Sequence, residues 1–220
     1  GGTLLGTLNM HEGALGATTD NAAYGRTRNP WTPELPPGGS SGGSGAAVAT
    51  GLCDIALGTD TMGSVRIPAA YCGVQGHKPT TGLDSTAGVV PLSTTLDHVG
   101  PLARNVETLW RGMQVISDWD DPAPLQIADL ARLRIGGWTG AGQVDMTPAV
   151  TKGFDRARAM VTSAGAQQIP FEPPAYDYSR ARRAGLLVSE VEGARAHGVT
   201  ANGSRPEGLS DTFYKLTKLM

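Results

Sequence analysis

Residues 37–45 read Pro-Gly-Gly-Ser-Ser-Gly-Gly-Ser-Gly. Out of context such a stretch is slack chain between two self-contained units. Here it is followed at once by residues 46–52, small, apolar and helix-compatible, with Ser41 or Ser44 placed as an N-cap. Residues 54–60 then read as a short buried strand ending in a turn. That turn is the second special segment, Gly58-Thr59-Asp60-Thr61-Met62-Gly63-Ser64-Val65-Arg66-Ile67-Pro68. Two serine-bearing tight turns around one small-residue helix argue for an ordered element, not a linker.

Ser64 follows the backbone N–H groups of Thr61, Met62 and Gly63. Successive N–H groups on a tight turn form a concavity for negative charge, as a tetrahedral intermediate requires. The chemistry alone leaves two readings open, a serine nucleophile or a plain Gly-Ser turn between strand and helix. Its base is not legible. No Gly-x-Ser-x-Gly elbow surrounds Ser64, and the four histidines, at 11, 77, 98 and 197, sit in no recognisable triad setting. Asp97-His98 reads as a turn-and-packing element.

The 220 residues are 40% hydrophobic and 17% charged, enough for one well-buried domain or one domain and part of another. A net charge of −2 offers no footprint for nucleic acid or an anionic membrane, and no apolar run reaches the roughly 20 residues of a spanning helix. Cys53 and Cys72 stand apart from any metal-ligand spacing, which argues against a disulfide scaffold or a structural zinc and is compatible with a reducing cytoplasm. Glycine, at 31 residues, is about twice its usual share and clusters before residue 100.

Along the rest of the chain, residues 3–8 read as a strand and 29–37 as an ordered loop. Residues 105–117 form an amphipathic helix with Val106, Leu109, Trp110, Met113 and Ile116 on one face. Residues 133–138 read as a strand, Pro148 opens a helix whose apolar positions are Val150, Phe154, Ala157 and Val161, Gly165 caps it, and 168–171 form a strand. That order predicts a parallel crossover. A third helix runs over about 178–197 and stops at Gly198. Asn202-Gly203-Ser204 fits a glycosylation acceptor by pattern alone.

The pair Gly-Gly-Ser-Ser-Gly-Gly-Ser (38–44) and Gly-Thr-Asp-Thr-Met-Gly-Ser-Val-Arg-Ile-Pro-Ala-Ala-Tyr-Cys-Gly (58–73) resembles the signature of the amidase signature family of serine hydrolases. Leu-Gly-Thr-Leu-Asn-Met-His-Glu, Thr-Arg-Asn-Pro-Trp, Gly-His-Lys-Pro-Thr-Thr-Gly and Thr-Leu-Asp-His-Val-Gly-Pro-Leu-Ala support it in order, over most of residues 1–110. The resemblance implies an α/β fold, a mixed central sheet covered by helices. Residues 1–220 would be one partial domain, truncated at both ends. It implies Ser64 as nucleophile, Ser40 as a bridging serine in a cis peptide, and a lysine as base. The N–H groups of Thr61, Met62, Gly63 and Ser64 would form the oxyanion hole, with Ser41, Asp60 and Arg66 supporting the loops. The implied reaction is hydrolysis of a small carboxylic amide through an acyl-enzyme, without metal or cofactor and without direct contact to nucleic acid or membrane. A homodimer stays open as an assembly. The alternatives are the amidase component of a tRNA-dependent amidotransferase and a non-catalytic remnant.

Two departures matter. The family's lysine lies upstream of the segment that opens this chain, and Lys78, the one lysine near the signature, reads as structural, so the isolated stretch is expected to be inactive. Met62 stands where the family usually has glycine, so either position 62 takes a conformation open to all residues or the oxyanion hole is altered. Its side chain reads either as packing or as part of the acyl pocket. Arg66 reads as stabilising the turn before contacting a substrate carboxylate, and Tyr24 and Trp31 read as core residues before pocket rim.

Overall fold

In a computed structural model the chain forms short strands and helices in alternation; the structure describes residues 2–117, 124–138, 145–171, 177–200 and 203–218. Asn202, of the glycosylation pattern, lies outside them. In order, the elements are β1 (Asp20–Asn21), β2 (Gly25–Arg26), α1 (Gly42–Thr50), β3 (Ile55–Thr59), α2 (Arg66–Cys72), β4 (Gln75–Gly76), β5 (Val99–Ala103) and α3 (Val106–Ile116). Then come β6 (Arg134–Trp138), α4 (Pro148–Ser163), β7 (Gln167–Phe171), α5 (Tyr178–Ala196) and α6 (Asp211–Lys218). They fall into two compact units, Gly1–Ala123 with Arg180–Met220, and Pro124–Ser179.

In the first unit β3, β5 and β4 form an antiparallel sheet in that order, with β3 and β5 paired from Ile55↔Ala103 to Thr59↔Val99. The sheet's apolar residues meet α1 and α2 in a cluster of Val48, Ala56, Val65, Ala69 and Leu102, with Cys53 and Val74 packed on it. Burying a valine or leucine fully contributes about 1.5–3 kcal/mol, so this small cluster fixes the helices that carry both serine turns. The small residues of α1 make the close approach feasible: a Cβ on Gly45 would lie 3.1 Å from Pro68 and 3.2 Å from Cys72 Sγ. Asn105 caps α3, accepting the Thr108 N–H at 2.8 Å.

Four expectations are corrected. Residues 3–8 are not a strand: they pair with nothing among the described residues, and Leu4 and Leu5 are exposed. Val106 stands off the buried face of α3, which is completed by Gly112, where a Cβ would sit 2.0 Å from Ile55 Cδ1. Ser41 occupies the N-cap of α1 but makes no side-chain cap bond there, because its hydroxyl is engaged with Thr59. Tyr24 and Trp31 are exposed, not core; the Trp31 indole N–H donates to Cys72 O at 2.7 Å.

In the second unit β6 and β7 pair in parallel, from Arg134↔Gln167 to Trp138↔Phe171, with α4 as the crossover. Pro148 starts α4 as expected. Its apolar residues Val150, Phe154 and Ala157 are exposed and Val161 is half-buried. The chain is thus α/β with mixed strand directions. Its described strands divide into three sheets, the third being the β1–β2 pair. No helix among the described residues is long and apolar enough to cross a membrane.

Candidate active site

The β3–β5 ladder delivers one of the two serine turns. Beyond Thr59↔Val99 the pairing runs one step further, with Asp60 N–H donating to His98 O at 2.9 Å and His98 N–H to Asp60 O at 3.1 Å. The chain then leaves the sheet and turns through residues 60–65 into α2. The buried Asp60 carboxylate organises that turn. Its Oδ1 accepts the Gly63 N–H at 2.7 Å and its Oδ2 the Val65 N–H at 3.2 Å. The Arg66 guanidinium grips it twice, Nε to Oδ2 and Nη2 to Oδ1, each at 2.9 Å. Burial pushes the Asp60 carboxyl up, but the hydrogen bonds and charge of Arg66, with the two N–H groups, outweigh it and hold it below its ordinary value.

Gly63, at φ +131°, is the one residue of this turn in the backbone region that favours glycine. Met62 takes no positive φ, so position 62 is open to side chains and the methionine does not distort the turn. The Met62 side chain is half-exposed, and its tip faces Gly185 of α5, where a Cβ would lie 2.8 Å from Met62 Cε. The Gly63 N–H is engaged by Asp60. Those of Thr61, Met62 and Ser64 find no acceptor among the described residues.

The other turn carries Ser40, in a cis Gly39–Ser40 peptide. Its backbone is held from three directions. Ser40 O accepts the His11 N–H at 2.9 Å and the Thr19 hydroxyl at 3.2 Å, and Thr19 Oγ1 also accepts the Gly42 N–H at 3.0 Å. A Cβ on Gly39 would lie 2.8 Å from the backbone of Ala17, so only glycine fits there. Ser41 closes the two turns on each other: its N–H donates to Ser64 O at 3.2 Å, and its hydroxyl bonds both Thr59 O and Thr59 N–H.

Both turns therefore meet at Ser64. Ser40 is fully buried, and its Oγ makes no hydrogen bond among the described residues, to Ser64 or to any other group. Ser64 is buried too, at 9% exposed. Among the described residues no histidine completes a serine–histidine pair. His98 Nδ1 donates to Leu96 O at 2.7 Å and its Nε2 lies 3.0 Å from the Thr81 hydroxyl, so both ring nitrogens are engaged in packing. Lys78 donates to the carbonyl of its neighbour Pro79. Beside the Ser40 turn lies a cleft of about 360 Å³, walled by His11, Glu12, Thr18, Asp20, Phe213 and Leu216 among others; neither serine lines it.

Three contributors escape a reading of the sequence: Thr19, His11 and Asp97. Thr19 and His11 act through side-chain or backbone contacts over more than 20 residues, which no local pattern announces. Asp97 accepts the Thr61 hydroxyl at 2.5 Å, and the strand register alone foreshadows it.

The chain belongs to the amidase family, whose description, Amidase, matches residues 1–218. It is 42% identical over 221 residues to the A-type subunit of the glutamyl-tRNA(Gln) amidotransferase of Lachnoclostridium phytofermentans, covering 95% of this chain and 43% of that protein. Among solved structures, a crystal structure of an amidase superposes with a TM-score of 0.83 at 33% identity, covering 96% of this chain and 47% of that one. The peptide amidase of Stenotrophomonas maltophilia gives 0.72 at 30% identity, covering 89% and 44%. The chain spans about half the length of these relatives.

Proposed function

We propose that the complete protein hydrolyses a small carboxylic amide through an acyl-enzyme on Ser64. The observation that carries this reading is the buried, unbonded Ser40 hydroxyl in the turn that Ser41 ties to Ser64. A buried hydroxyl without a partner costs about 1–3 kcal/mol, and a proton relay gives it two partners. In the proposed cycle Ser64 Oγ attacks the amide carbon and its proton passes through Ser40 Oγ to a neutral lysine amine supplied from outside residues 1–220. The oxyanion is accepted by the N–H groups of Thr61, Met62 and Ser64, those without another acceptor. The proton returns to the leaving nitrogen, ammonia or an amine departs, and water hydrolyses the Ser64 ester by the same relay. Asp60, Arg66 and Ser41 hold the two turns in register, and Gly63 is the hinge of the turn, not a donor to the oxyanion. No step requires a metal or cofactor. The two free thiols, Cys53 and Cys72, support a reducing cytoplasm as the compartment.

A second reading is favoured by the relatives themselves. Glutamyl-tRNA(Gln) amidotransferase components match at 42% and 39% identity. On that reading glutamine is the amide and its ammonia passes to a partner protein. Ammonia release from simple amides and from glutamine, with and without the partner proteins, separates the two. Release that persists in Ser64→Ala overturns both.

A further inference from the structure

We propose that Asp97 and Glu192 are positioning residues for the oxyanion-stabilising turn, through which helix α5 sets where the Thr61 and Met62 N–H groups point. This rests on the reading of Ser64 as nucleophile.

The strand register makes the contact. Thr59↔Val99 and the Asp60–His98 bond pair lead directly to Thr61 opposite Asp97. There the Thr61 hydroxyl donates to Asp97 Oδ1 at 2.5 Å, which engages that hydroxyl and fixes the residue whose N–H finds no acceptor among the described residues. The second oxygen of Asp97 accepts the N–H groups of Leu92 and Ser93, each at 2.9 Å. Asp97 thus links Thr61 to residues 92–93, and Glu192 links that segment to α5. Glu192 Oε2 accepts the Ser93 hydroxyl at 2.5 Å and the Thr95 N–H at 3.1 Å, and Oε1 accepts the Thr95 hydroxyl at 2.5 Å.

A second contact reaches the neighbouring residue from the same helix. Gly185, Ser189 and Gly193 recur every four residues and share one face of α5. The Ser189 hydroxyl folds back on Gly185 O at 2.8 Å, which leaves that face flat. Met62 lies against Gly185 and Leu92 against Gly193, where added Cβ atoms would come within 2.8 and 2.9 Å of their side chains. Residues 61 and 62 are therefore both referenced to α5, one by hydrogen bonds and one by packing. The methionine at position 62 is matched by a glycine on the helix it meets. Donors to an oxyanion act only when aimed, and a displacement of about 1 Å can cost about 100-fold, so the anchor is felt in rate.

The test measures the rate of Ser64 labelling by a fluorophosphonate in the complete protein, alongside its melting temperature. Glu192→Gln and Asp97→Asn are expected to slow labelling by about tenfold or more. Thr61→Val slows it similarly, and Thr61→Ser, which restores the hydroxyl, labels faster than Thr61→Val. Glu192→Gln added to Thr61→Val brings less than about a further twofold loss, because both act on one donor. Glu107→Gln, in an exposed pair with Arg111 on α3, stays at the wild-type rate. Wild-type labelling rates in Glu192→Gln, multiplicative losses in the double variant, or a lowered melting temperature with unchanged rate overturn this inference alone. Wild-type protein that fails to label at Ser64 overturns it together with the proposed function.

Discussion

Around the two serine turns, glycines stand where another part of the chain comes close. In helix α4 the glycine does not. A Cβ on Gly43 would lie 2.3 Å from Asn9 O, whereas one on Gly153 of α4 meets nothing within 4 Å. Near the serines Ala47, Val48, Val65 and Ala69 are small and buried, while α4 turns Val150 and Phe154 outward. The difference separates two uses of sequence. In one region residue identity is set by what touches it. In the other it is set by the needs of a helix alone.

Substitutions can break this contrast. Gly43→Ala is expected to destabilise the protein by about 3 kcal/mol or more, since the colliding atom is backbone and cannot swing aside. Asp60→Asn comes next, at about 2 kcal/mol, because it leaves the Arg66 guanidinium without its anion and places an amide N–H₂ against backbone donors. The same variant carries a pH signature. The Asp60 carboxyl lies below its ordinary 3.8 in the folded protein, so its contribution is present above that pH and fades as pH falls through the folded value. Denaturant midpoints of wild type between about pH 5 and 2 should therefore fall more steeply than those of Asp60→Asn. Gly153→Ala, in contrast, is expected to stabilise by about 1 kcal/mol, as in an exposed helix interior. A loss there would show that α4 meets something the contrast omits.

The smallest effect concerns the buried thiol. Burial pushes Cys72 up to about 11, while Cys53, also raised by burial, is less enclosed. The neutral thiol of Cys72 favours folding fully below its ordinary 9.0, and that contribution fades as pH rises through about 11. Iodoacetamide at about pH 8 should leave Cys72 unmodified until urea is added. Rapid alkylation of the folded protein would place it outside the core.

The glycine and serine turns were readable because close backbone approach leaves few residue choices, and helix limits such as Pro148 and Gly198 follow from backbone rules. The outward face of α4 was not readable. The 3.6-residue period places Val150 and Phe154 together but says nothing of what they face. Residues 3–8 failed for a related reason, since an apolar run needs a partner strand before it becomes one. The engagement of the Gly63 N–H by Asp60 was hidden too, although Asp60 itself was legible as a brace. Which donor a carboxylate takes depends on the turn's path. Asp97 shows the converse: read as packing from its neighbours, it meets Thr61 only once the strand register is known.

The relation between Ser40 and Ser64 is tested most directly by mapping a fluorophosphonate adduct on the complete protein by mass spectrometry, in wild type and in Ser40→Ala. The relay places the adduct on Ser64 and slows its formation by about 100-fold or more when Ser40 loses its hydroxyl. An adduct on another residue, or one formed on Ser64 at an undiminished rate in Ser40→Ala, contradicts it.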